Sequence, residues 1–149
     1  MSAGAAALPG VGTGPSSSAP SRGKALRRAL WLWTPVLAYM AAIFYVQSLS
    51  APPSPPGLHD KVSHLLGYAG LGLVAARACA GGLGRRVSLA SALTAVALVS
   101  AYGITDEVHQ MFVPLRAVEL LDWYADTAGA LAGTAACMGW GILVHSRAR

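Results

Sequence analysis

Charge is what this chain lacks most. Only 11% of its 149 residues are Asp, Glu, Lys or Arg, against 54% hydrophobic, whereas an average soluble domain is roughly a quarter charged. That shortage argues against an ordinary water-soluble protein. Acids are the scarcer sign, six against eleven Lys and Arg. Cysteine is nearly missing as well. Cys79 and Cys137 cannot build a disulfide framework, and no CxxC or Cys/His spacing of a zinc site occurs. They read as small apolar filler. GxSxG, P-loop, Rossmann-glycine and HExxH patterns are also absent, which removes the sequence signatures of several large enzyme classes. Such spacings give no reason to expect a metal or a cofactor.

The missing charge leaves long gaps. Residues 29–59, 87–105 and 127–146 carry no formal charge, and 62–84 carry only Arg77. A hydrocarbon core of about 30 Å takes about 20 apolar residues in a helix. The chain therefore reads as an all-α membrane protein, a bundle of four transmembrane helices at about 29–49, 61–80, 87–109 and 122–144. Residues 1–21 are Gly, Ala, Pro and Ser with little that is large, so they read as a disordered tail ahead of a membrane domain at 22–149. A basic start before an apolar run resembles a signal peptide. That run is too long, and Ser48-Leu49-Ser50 is a poor cleavage site, so an uncleaved first helix is expected. Trp31 and Trp33 suit an interface, and Pro35 is tolerable in the first turns.

Four prolines within 52–56 make a loop of 51–57. Asp60 is expected to cap the second helix, and Gly81, Gly82 and Gly84 to end it. Residues 111–121 are too apolar for a free loop and too short to span. They read as an interfacial or re-entrant segment between helices three and four, broken at Pro114.

The net charge of +5 invites a nucleic-acid partner, but placement argues otherwise. Arg22, Lys24, Arg27, Arg28, Arg77, Arg85, Arg86, Arg147 and Arg149 all fall at one end of a four-span arrangement. All six acids, with Lys61 and Arg116, fall at the other. Under the positive-inside rule both termini are then cytoplasmic. The expected partners are membrane lipid, with no nucleic acid, and a multi-pass membrane position is expected. Small residues recur at fours: Ala125, Gly129, Gly133, Cys137 and Gly141, and Gly72, Ala76 and Ala80. They point to close helix packing. A homo-oligomer through the same stripes has no support of its own.

One polar constellation remains, at the acidic end. Asp60, His64 and Tyr68 share a helix face with Lys61 beside them, and Asp122 and Asp126 open the fourth helix one turn apart. Asp106, Glu107, His109 and Gln110 close the third, and Arg116 and Glu119 follow in the connection. Asp106 and Glu107 stand where the helix carbonyl end disfavours an anion, so cations, a metal or water are expected beside them. Lys61, Arg116 and the two histidines are the available partners. Glu107 or Asp126 with His64 could exchange protons, and Lys61 and Arg116 could hold a phosphate or carboxylate.

Three ordered blocks then resemble those of VanZ-like membrane proteins. Asp60-Lys61-Val62-Ser63-His64-Leu65-Leu66-Gly67-Tyr68 is similar to the family's DK-x-x-H-x-x-x-Y. Residues 106–116, DEVHQMFVPLR, resemble DE-x-x-Q-x-F-x-P-G-R, and 122–129, DWYADTAG, resemble D-x-x-x-D/N-x-x-G. Leu115 stands where the family usually has Gly, Ala117-Val118-Glu119 replaces a more polar stretch, and Asp126 stands where many members have Asn. The resemblance implies a four-helix membrane bundle and a link to the bacterial envelope, placing the chain in a bacterial cytoplasmic (inner) membrane, with a founding member tied to low-level teicoplanin resistance. By match it carries over Asp60, Lys61, His64, Glu107, Gln110, Arg116, Asp122 and Asp126. The expected function is an outward-facing site for an anionic lipid-linked or peptidoglycan-related ligand. Arg116 and Lys61 would hold the anion, Glu107 and Gln110 orient it, and Asp122 and Asp126 secure the arginine. The alternatives are a small membrane-embedded hydrolase or transferase using Glu107 with His64, and a structural or partner-binding role in which the ion pairs staple the helices.

Overall fold

A computed structural model describes residues 22–52, 59–83 and 85–146, with side chains to residue 141. The expected tail at 1–21, most of the proline-rich loop, Gly84, and Arg147 and Arg149 lie outside the described residues. Among those described, four helices and no strand occur: α1 (Arg22–Gln47), α2 (Asp60–Cys79), α3 (Leu89–Gln110) and α4 (Leu120–Ser146). The first three are long and apolar enough to cross a membrane. At 1.5 Å per residue even α2 is about 30 Å long.

The boundaries differ from the sequence reading at informative places. Helix α1 begins at Arg22, not near residue 29, because Arg, Lys, Ala and Leu are good helix formers and a helix need not stop where the apolar run does. Asp60 is the first helical residue, not the cap. The cap position is His59, which makes no side-chain capping bond. Ser88 caps α3 by accepting from the Ser91 amide at 3.1 Å. The glycine stop of α2 is as expected: Gly81 and Gly82 take φ of 80° and 127°, open to glycine alone without strain. Arg77 Nη2 closes that turn on the Gly82 carbonyl at 2.6 Å.

Packing is tightest between α2 and α4, and the small residues explain it. A Cβ on Gly129 or Gly133 would run into the carbonyls of Leu65 and Ala69, and one on Gly72 would stand 2.6 Å from the Ala130 oxygen. Gly72, Gly129 and Gly133 of the stripes thus serve packing within the chain, while a Cβ on Gly141 would meet nothing within 4 Å. Helix α3 completes a triangle with α2 and α4, joined to α4 by Ser100 with Thr127 at 2.8 Å and by the Trp123 indole donating to the Ser100 carbonyl at 3.1 Å. Helix α1 leans on α2, and more lightly on α3. Its outward side chains, among them Leu30, Trp31, Leu37 and Tyr45, are exposed, as lipid-facing residues would be.

The helices run alternately up and down. Arg28 donates to the Gly81 carbonyl at 2.8 Å, tying the start of α1 to the end of α2. At the opposite end, Ser48 meets His109 at 2.9 Å. The described basic residues at 22–28, 77, 85 and 86 therefore gather at one end, and the acids at the other. Between α3 and α4, residues 111–119 form a non-helical connection with Met111, Phe112, Leu115 and Val118 exposed.

Candidate functional site

The acidic end holds a buried polar layer. His64, Asp106, Glu107, Gln110, Asp122 and Asp126 are all buried, and so is Gln47 at the end of α1. Helical spacing explains the alignment: His64 lies four residues from Asp60 and from Tyr68, and Asp126 four from Asp122, so each row faces the next helix.

Arginine sets the direction of the hydrogen bonds, because a guanidinium only donates. Arg116 Nη2 donates to the Gln47 carbonyl oxygen at 3.2 Å and to the Gln110 carbonyl oxygen at 3.0 Å. That turns the amide nitrogen of Gln47 toward His64, where it donates to Nε2 at 3.0 Å. Nε2 must then accept, so the ring proton sits on Nδ1 and is donated to Asp126 Oδ1 at 2.9 Å. One polarity thus runs Arg116–Gln47–His64–Asp126, and it selects the neutral Nδ1–H tautomer of His64.

Lys61 is committed elsewhere. Its ammonium lies 2.5 Å from Glu119 Oε2 and 2.6 Å from Asp122 Oδ1, with Asp122 buried and Glu119 exposed. It holds two carboxylates and so is not a free anion-binding cation. Asp106 and Glu107, expected beside cations, a metal or water, form no ion pair with Lys61 or Arg116. Asp106 Oδ2 accepts from the Tyr68 hydroxyl at 3.2 Å, and Glu107 Oε2 from the Glu119 amide at 3.2 Å. Neither Asp122 nor Asp126 secures Arg116; among the described residues no carboxylate forms an ion pair with it.

His109 also falls outside the layer. It stacks on Phe44 with ring centroids 4.2 Å apart and pairs with Ser48, facing α1. Two residues beyond Glu107 is about 200° around the helix, which is why it points elsewhere. Asp60 is exposed at the rim of a cleft of about 270 Å³ between α1 and α2, which Gln47, His64 and Tyr68 also line. Sequence reasoning missed Gln47. It is the one amide side chain in α1, a signal that reads equally well as the edge of the apolar run.

Residues 60–144 match the sequence model of the VanZ/LLP1 family. No curated protein and no solved structure matches the chain. The matched stretch spans α2 to α4 with every residue of the polar layer except Gln47, and the chain belongs to the VanZ/LLP1 family.

Proposed function

From that membership and the state of Arg116, we propose that this membrane protein binds the anionic group of an envelope ligand, lipid-linked or peptidoglycan-related. Arg116 carries the proposal. It is half-buried, held by two neutral amides, and has no carboxylate partner among the described residues, so its charge is fixed in place yet uncompensated. A phosphate or carboxylate is the group such a planar donor takes in bidentate fashion. Gln47 and Gln110 orient the arginine, and Lys61, Asp122 and Asp126 hold α2 against α4 around it. In this reading α4 is a fourth span, residues 111–119 lie at the interface with their exposed apolar side chains in lipid, and the basic end faces the cytoplasm of a bacterium. The polar layer then faces outward, where glycopeptides such as teicoplanin meet the envelope, and resistance to them is the cellular role that fits.

The acid–base alternative has less support, because both ring nitrogens of His64 are already engaged. The test uses purified protein and a polyprenyl monophosphate as probe, with the uncharged polyprenol as control. Wild type is expected to bind the phosphate and not the alcohol, and Arg116→Gln to lose that binding while folding normally. In cells, Arg116→Lys and Glu107→Gln are scored for glycopeptide susceptibility. Equal binding of the two lipids, or unchanged binding by Arg116→Gln, overturns the proposal.

A further inference from the structure

The polar layer leaves four atoms without a hydrogen-bond partner: Asp106 Oδ1, Glu107 Oε1, Gln110 Nε2 and Asp126 Oδ2. Their residues are 1%, 6%, 0% and 0% exposed, so bulk solvent does not reach them, and buried polar atoms left unmatched are costly. Two of these orphans belong to carboxylates that already use their other oxygen, Glu107 on the Glu119 amide and Asp126 on His64. Ligating atoms of His64, Glu107 and Asp126 lie within 4.8 Å of one another. Gly103, one turn before Glu107, faces the same place: a Cβ there would stand 3.1 Å from Asp126 Oδ2.

Charge points the same way. Asp106, Glu107 and Asp126 are buried together, and among the described residues no Lys or Arg forms an ion pair with any of them. The bases near them are His64, bonded to Asp126, and His109, which acts on Asp106 from farther off. Uncompensated buried carboxylates are strongly disfavoured, and a doubly charged ion offsets two of them.

We propose that His64, Glu107 and Asp126 bind one divalent transition-metal ion. One imidazole nitrogen and two carboxylate oxygens suit zinc or manganese, and three protein ligands leave a coordination position for water or an anion. Binding at His64 Nδ1 requires the other neutral tautomer: the Nδ1 proton goes to solvent as the metal–nitrogen bond forms and solvent returns one to Nε2, so the ring stays neutral and no proton is released net. The ring then carries its hydrogen on Nε2, and the Gln47 amide turns its carbonyl to accept it, an outer-shell partner of the usual kind. Arg116 keeps its bond to Gln110. A second group, Asp60, His64 and Asp122, is also close enough to ligate, but Asp60 is exposed and Asp122 is committed to Lys61. No step here depends on the anion-binding reading of Arg116.

The full chain, stripped with chelator in detergent and reloaded with Zn²⁺ or Mn²⁺, is desalted and its metal counted by mass spectrometry. Affinity is read by calorimetry and ligation by the absorption of the Co²⁺ form. About one equivalent is expected in the wild type. Glu107→Gln and Asp126→Asn are expected to weaken binding by more than about tenfold, beyond the low end of what outer-shell changes alone produce, and Asp60→Asn to leave it unchanged. Arg116→Gln keeps the metal even if it loses the phosphate probe, so the two proposals fail separately. No stoichiometric metal in the wild type overturns the site, as does wild-type affinity in folded Glu107→Gln and Asp126→Asn. Should those variants fail to fold, the wild-type count decides, together with a Co²⁺ spectrum that shows or lacks nitrogen ligation.

Discussion

Gly129→Ala tests the packing that holds the polar layer together. An added Cβ would overlap the Leu65 carbonyl oxygen and lie 3.0 Å from the Ala69 nitrogen and 3.1 Å from the Leu65 carbon, all backbone atoms of α2. None can rotate aside, so the helices must separate, by on the order of 1 Å if ordinary van der Waals contact is to be restored. His64 is the neighbour of Leu65, and Asp126 lies one turn before Gly129. Lengthening their 2.9 Å contact by that much breaks a hydrogen bond. Overpacking costs about 1–3 kcal/mol, and loss of a charge-assisted bond about 1.5–3 kcal/mol more. Against this stands a gain of up to about 1 kcal/mol in helix propensity. A net loss of about 1.5–5 kcal/mol is expected. Gly139 supplies the control on the same helix, since a Cβ there meets nothing within 4 Å, so Gly139→Ala should be neutral or stabilising. Equilibrium unfolding in detergent, titrated with SDS and followed by circular dichroism, measures both. Equal stability of Gly129→Ala and wild type, or a greater loss in Gly139→Ala, would refute the close approach of α2 and α4.

The ion-pair arrangement makes an asymmetric prediction. Lys61→Met strands Asp122, whose side chain is 3% exposed, at a cost of about 3 kcal/mol, whereas Glu119→Gln removes a 52% exposed partner for under about 1 kcal/mol. Combining Lys61→Met with Asp122→Leu should recover most of the loss, and the same SDS titration reads all three; equal costs for the two single changes would be the wrong outcome. Leu115 has a φ of 66° and is 93% exposed, so its side chain packs on nothing while its backbone carries a left-handed penalty of about 1–2 kcal/mol. Leu115→Gly relieves that and costs about 0.5–1 kcal/mol in unfolded-state freedom, so stability should fall in the order Gly, Leu, Val at this position. Leu115→Val matching wild type in thermal unfolding would contradict it.

The helices were legible because charge placement is a one-dimensional signal: a gap of about 20 residues between charges needs no tertiary knowledge to be read as a span-length helix. The turn before Arg116 shows where that kind of reading stops. Leu stands in place of the family's usual Gly, yet the chain takes a left-handed conformation there and lets Leu115 bear it. Residue type alone does not reveal which of two costs the fold accepts.

The polar layer divides along the same line. Its membership was largely readable, since acids so sparse in an apolar chain stand out, but its pairings were not. Opposite charges on neighbouring elements made Arg116 with Asp122 and Asp126 as reasonable as Lys61 with them, and only the seating of α2 on α4 through Gly129 and Gly133 puts Lys61 beside Asp122. Gln47 was hidden for a related reason. A single amide at the end of an apolar run gives no sign of whether it marks a boundary or faces inward. Its meaning comes from Arg116, 69 residues away, whose donor-only chemistry decides how the amide is turned and so where His64 keeps its proton. A metal site built from α2, α3 and α4 is invisible to spacing for the same reason. Each helix contributes one ligand, so no motif within a single helix exists to be found.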